Sequence, residues 1–429
     1  DFIVNDVKGT ADDTINLTGI SATGAVNIQA PGAGVTKFDV SVANAASATL
    51  NAGNTANATM SVAGVDGGVS LTAGDNGSTM SVTATSKVQP DSISMKAGAG
   101  NDTVTLTGIK AADEGTNPVL SVDLGDGKNS LKVSDGTDLT GWTTSITGAA
   151  ITLAGKANLG DLSGITDSTI SGGTLQLSGD LDLTKSSLNI TSGVDIADGK
   201  TLTVGQGFAP EGAITGDGTL AVAGGTAEAT VDLSAVKVAA DVALVINEGA
   251  TVQVGANFGD ASKAVGSKAI SGDGTLEFKA DATAFEIGST ISTNIKVDEG
   301  ATLTLGGGWD GSYAKVISGP GAVQNGDGKA WDLIGDNALG FIGDNLTLNV
   351  VTGGTGIKLG EVEATNVFKV SGGGKVTVDL SGGTGETANL TGITANTSSS
   401  FTGTFNVSMD QKDSVTLSDN AAEVITIAG

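Results

Sequence analysis

Three residue types are missing altogether: the 429 residues contain no Cys, no His and no Arg, so all 21 basic residues are Lys. Without Cys there are no disulfides, thiolate metal ligands or nucleophilic thiols. Without His there is no imidazole base or proton shuttle, and without Arg no bidentate clamp for phosphate or carboxylate. Most catalytic constellations are closed by this inventory, and the chain reads as a structural protein, not an enzyme. Aromatics are also scarce, at 3%. Since each would bury about 150–250 Å², the core has to be thin and filled by Val, Ile, Leu and Ala. No run of about 20 apolar residues is present to cross a membrane as a helix. The sequence opens at Asp1 without Met or a signal peptide, which reads as a processed chain.

What is abundant points the same way. Gly contributes 67 residues, hydrophobic residues make up 39%, and only five prolines are scattered through the chain. Apolar residues alternate with Thr, Ser, Asn and Asp, so the composition describes a folded chain and not a disordered one. The formal charge of −26 repels nucleic acid and anionic head groups, and neither is expected as a partner. The same charge attracts divalent cations, and hard Ca²⁺ prefers oxygen ligands.

Short alternating runs closed by Gly, Asp or Asn, such as Thr103–Leu106, Thr201–Val204 and Lys375–Leu380, carry a strand-and-turn signature. Helical periodicity is almost missing, and the helix-compatible stretch Ala227–Ala243 reads equally well as strands of Val and Ala. Internal repeats are the strongest signal. Gly9–Ile20 and Gly98–Ile109 match closely without a gap, a third copy returns at Glu386–Ile393, and Gly125–Leu131 is a degenerate relative. In the middle, Ile196–Gly205 recurs as Ile246–Gly255 and Val297–Gly306, about 50 residues apart. A second phrase accompanies it: Ile214-Thr-Gly-Asp-Gly-Thr-Leu220, Ile270-Ser-Gly-Asp-Gly-Thr-Leu276 and Ile317-Ser-Gly-Pro-Gly-Ala-Val323. Two phrases per repeat imply two rungs of about 25 residues each.

The fold expected is all-β, a β-solenoid (parallel β-helix) body over residues 146–335, with strand-rich regions at 1–145 and 336–429. Tandem β-sandwich domains are the alternative. The repeated acidic positions, Asp217 with Asp273 and Glu248 with Glu299, suit turns better than catalysis, because an active site needs one special constellation and not a periodic one. Trp331, between Asp327 and Asp332, reads as a packing residue before a sugar-stacking one. Thr-X-Thr pairs such as Thr103/Thr105 suit exposed strands.

Gly98-Ala-Gly-Asn-Asp-Thr-Val104 resembles the nonapeptide of RTX exoproteins, in which stacked turns chelate Ca²⁺. The resemblance implies Asn101 and Asp102 as metal ligands, followed by Asp12, Asp13 and Asp126. The central phrases are similar to those of autotransporter passengers and other β-helix adhesins. The whole profile is similar to bacterial S-layer and matrix-fibre proteins. These likenesses imply a secreted protein at the bacterial cell surface, a subunit of a self-assembling layer or filament stabilised by Ca²⁺. Its partners would be copies of itself, joined head to tail through terminal strands, and a cell-surface glycan. An adhesin passenger that binds glycans is the alternative, and a polysaccharide lyase or hydrolase the more distant one.

Overall fold

Alternation with period two writes the fold. In strand after strand the apolar residues point inward and the polar ones outward, as in Ser47–Asn51 and Ile291–Val297, where every second residue is buried. The computed structural model describes residues 2–4, 13–30, 35–53, 57–225, 229–256, 258, 269–284, 291–305, 315–325, 331–333, 346–350, 357–360, 368–373, 375–380, 387–390, 393–395, 404–408, 413–416 and 425–428. Among them the regular structure is β-strand apart from two 3₁₀ turns, at Leu162–Gly164 and Leu183–Lys185, and a 3₁₀ residue at Leu390. No helix among the described residues is long and apolar enough to cross a membrane. The stretch that was also compatible with a helix contains the strand Ala229–Leu233 and meets Ala243–Ile246 at its end.

The strands stack in parallel, each pairing with one a single coil further along the chain, which makes the protein a β-solenoid. Ile146 pairs with Ile165, 19 residues on, and Val104 with Leu131, 27 residues on. The chain forms two compact units, Asp1–Val204 with Phe208–Gly218, and Gly205–Gly207 with Thr219–Gly429.

The first unit contains an 8-stranded sheet running from Phe2–Val4 to Ile165–Thr166 and an 11-stranded sheet beginning at Asp13–Ser21. Inside, one sheet contributes the column Ile28, Leu50, Leu71, Met95, Val122, Ile146 and Ile165, in register from coil to coil. The other contributes Val40, Met60, Met80, Val104, Leu131, Ile151 and Ile170. All of these are buried. At about 1.5–3 kcal/mol for each large aliphatic buried, such columns supply the main favourable contribution without aromatics. The strand Phe2–Val4 pairs with Ala25–Gln29 and lies at the end of its sheet. Its Phe2 and Ile3 are 38% and 60% exposed.

In the second unit the roughly 50-residue repeat takes physical form. The strand Ala243–Ile246 pairs with Ile270–Phe278, which pairs in turn with Ile291–Val297, so successive copies of the first phrase sit two coils apart. The second phrase is a corner. Ile270 and Ser271 pair with the strand Ala243–Ile246, whereas Thr275 to Phe278 pair with Ala250–Val254. The chain bends between them at Gly272, whose φ is 112°. A Cβ there would lie 2.0 Å from the Ile246 carbonyl oxygen of the coil beneath. Gly216, Gly319 and Gly372 repeat the conformation and meet the carbonyl oxygens of Ile196, Val297 and Val350 in the same way. The corner therefore demands glycine. The residue after it is free to vary between Asp273 and Pro320.

Trp331 is fully buried, on the strand Trp331–Leu333, and so packs in the core as its sequence context indicated. Phe208, Phe258 and Trp309 each stand three residues beyond a copy of the first phrase; Phe208 is buried and Phe258 forms a bridge with Val238, while Trp309 lies outside the described residues.

Candidate functional site

The Gly- and Asp-rich turns of the first unit stack directly on one another. Gly74-Asp-Asn-Gly-Ser78, Gly98-Ala-Gly-Asn-Asp102 and Gly125-Asp-Gly-Lys-Asn129 each enter a strand of one sheet: Ser78–Thr83, Thr103–Thr107 and Ser130–Val133, all parallel and in register. The Gly98 N–H donates to the Gly74 carbonyl at 3.1 Å. The turns approach so closely that a Cβ on Gly125 would lie 2.2 Å from the Gly98 carbonyl oxygen. The glycines of the motif therefore let three backbones nest together, independently of any ion.

The last residues of the three turns form a buried polar ladder of Ser78, Asp102 and Asn129, which are 4%, 1% and 5% exposed. Asp102 Oδ1 accepts from the Ser78 N–H at 2.8 Å and from the Ser78 hydroxyl at 2.6 Å. Asn129 Oδ1 accepts from the Asp102 N–H at 3.1 Å, and Asn129 Nδ2 donates to the carbonyl oxygens of Leu124 and Gly125 at 3.1 and 3.0 Å. Asp102 and Asn129 thus each tie the backbone of the preceding turn to their own, which is how buried polar groups are normally satisfied. One atom is left over, because Asp102 Oδ2 is buried and has no hydrogen-bond partner among the described residues.

The residues expected to ligate calcium separate here. Asp102 faces the interior, whereas its neighbour Asn101 is exposed and accepts from the Lys128 N–H through Oδ1 at 2.8 Å. Adjacent residues entering a strand point to opposite sides, so the two side chains do not converge. Asp126 is exposed on the next turn, in step with Asp75 two coils before it. Asp12 lies outside the described residues, and of Asp13 only the backbone is described, at the start of the strand Asp13–Ser21. Among the described residues no three carboxylates gather closely enough to cage an ion. The expected ligands therefore do not form one Ca²⁺ site: the orphaned Asp102 oxygen faces the interior, whereas the carboxylates of Asp75 and Asp126 are exposed and two coils apart.

Two members of this site escaped sequence reasoning. Ser78 and Asn129 occupy the ladder position of Asp102 but share no side-chain type with it, and the turn Gly74–Ser78 is too far from the nonapeptide pattern to be read as a copy. The available signal was the coil spacing: counting back one coil from Gly98 lands on another Gly. Comparison with protein-family models, curated proteins and solved structures found no match.

Proposed function

We propose that this chain is a structural, non-catalytic subunit of a self-assembling bacterial surface layer or filament outside the cell. The observation that carries this reading is the edge strand Phe2–Val4. Among the described residues it pairs on one side only, and it presents Phe2 and Ile3 to solvent. An open parallel edge bearing exposed apolar side chains is a template for another chain. The acidic surface, with formal charge −26, keeps free subunits apart and makes their association sensitive to cations. Strand addition between copies, head to tail, is a heterologous contact that propagates instead of closing. Calcium belongs to the proposal as a stabiliser, drawn by the acidic surface, on which Asp75 and Asp126 are exposed.

Negative-stain electron microscopy of the purified chain, with millimolar Ca²⁺ and with a chelator, tests both parts. Ordered sheets or filaments that dissolve with chelator are expected. Removing residues 1–8 should abolish polymers while leaving the β-sheet circular dichroism intact. Normal polymers from that truncation, or monomers in every condition, would sink the reading.

A further inference from the structure

A cleft of about 550 Å³ opens on the first unit where the turns of three successive coils meet, around Thr140–Gly141, Gly160–Ser163 and Ser178–Ser187. That volume falls within the roughly 300–1,000 Å³ usual for small-molecule sites. Two buried leucines, Leu162 and Leu177, contribute to its floor, and half-buried Leu181 lies beside them. The polar lining consists of hydroxyls, carboxylates and the Lys185 ammonium.

The carboxylates are held in place by the backbone. Asp161 Oδ1 accepts from the Ser163 N–H at 2.9 Å, and Asp180 Oδ1 accepts from the Thr201 N–H at 2.8 Å. Each is thereby oriented through one oxygen, and among the described residues no hydrogen bond engages the other. Asp182 is different. Its Oδ1 accepts from the Thr184 N–H at 3.0 Å and its Oδ2 pairs with Lys185 at 2.7 Å. The Lys185 ammonium and the Thr184 hydroxyl hold the Asp182 carboxyl below the usual carboxylate range. The hydroxyls of Ser163 and Ser187 stand on the same walls.

We infer that this cleft binds a neutral carbohydrate, a mono- or disaccharide unit. Fixed carboxylate oxygens accept from vicinal hydroxyls, serine hydroxyls serve as donors or acceptors, and half-buried Leu181 offers an apolar surface to the C–H face of a sugar ring. Three carboxylates against one ammonium leave the lining net negative, which disfavours acidic sugars. The described carboxylates do not gather in threes, which disfavours a cation cage. The inference stands apart from the assembly proposal, since the cleft is formed by turns and not by the edge strand Phe2–Val4.

The test is saturation-transfer NMR and calorimetry on the full chain. The probes are methyl glycosides of neutral hexoses and N-acetylhexosamines, with methyl glucuronide and CaCl₂ as competing arms. A Cβ on Gly179 would meet nothing within 4 Å, so Gly179→Trp fills the cleft without disturbing the core and should abolish binding. Asp161→Asn and Asp180→Asn keep an acceptor for the Ser163 and Thr201 N–H groups, and each should weaken binding about tenfold, as loss of a hydrogen bond to a charged group does. All three variants should melt and polymerise as the wild type does. The inference is overturned if no neutral glycoside binds, if Gly179→Trp binds unchanged, or if glucuronide or Ca²⁺ is the ligand lost in the two Asn variants.

Discussion

Two Gly-Asp phrases, one in each unit, look alike in sequence and do opposite things. In the turn stack of the first unit Asp102 is 1% exposed and holds Ser78 of the coil before it. In the corner of the second unit the Asp273 side chain is 74% exposed and pairs with Lys315 at 2.7 Å. The glycines are what the two places share, because both lie against a carbonyl oxygen of the coil below. An aspartate one or two residues past a structural glycine is thus a strut or a bystander according to which face of the coil it meets.

The comparison breaks most visibly at the glycines. Gly272→Ala places a Cβ 2.0 Å from a backbone oxygen at φ 112°, and should cost about 3 kcal/mol or more. Gly300→Ala, at φ 81° with nothing within 4 Å, should cost only about 1–2 kcal/mol. Urea midpoints measure both, and equal losses would show that strain and not close approach rules the corner. Next in size is Asp102→Ala, which leaves the buried Ser78 N–H and hydroxyl unpaired and should cost about 2 kcal/mol. Asp273→Ala should stay within about 0.5 kcal/mol. A reversal of that order in denaturation would overturn the distinction between strut and bystander.

The smallest effect is the response to acid. Among the described residues, Asp232, Asp273 and Asp298 of the second unit and Asp182 of the first are held below the ordinary value of 3.8. The leading causes are hydrogen bonds from Ser234, Lys315, Lys279 and Lys185 respectively. A depressed carboxylate adds stability that is fully present above its unfolded value and is lost as pH falls through its folded one. Stability should therefore hold from neutral pH down to about 4 and decline below, more in the second unit than in the first. Hydrogen exchange followed separately in the two units at pH 3 and pH 6 would show it.

Much of this was legible in the sequence because a solenoid writes its period twice, once in the strand and once in the coil. The runs at Thr103, Thr201 and Lys375 are the strands Thr103–Thr107, Thr201–Val204 and Lys375–Asp379. The phrase spacing gave two coils per repeat. Parts of the candidate site were not legible, because the alternation that marks strands stops at turns. Nothing in Asn101-Asp102 says which of the two faces inward until the register with Ser78 and Asn129 is known. The division of Ile270–Phe278 between two partner strands is hidden likewise, since a corner keeps the alternating pattern on both sides of its glycine.

Every described strand pairs with one a single coil away, and this sets how the chain reaches its fold. Closing a loop of about 20 residues costs nearly the same at each step, because loop entropy grows only logarithmically with length. A finished coil offers the next a ready row of backbone donors and acceptors, so folding propagates from neighbour to neighbour once nucleated. Such a chain can acquire structure progressively as it is synthesised, with no pairing among the described strands waiting for a distant segment.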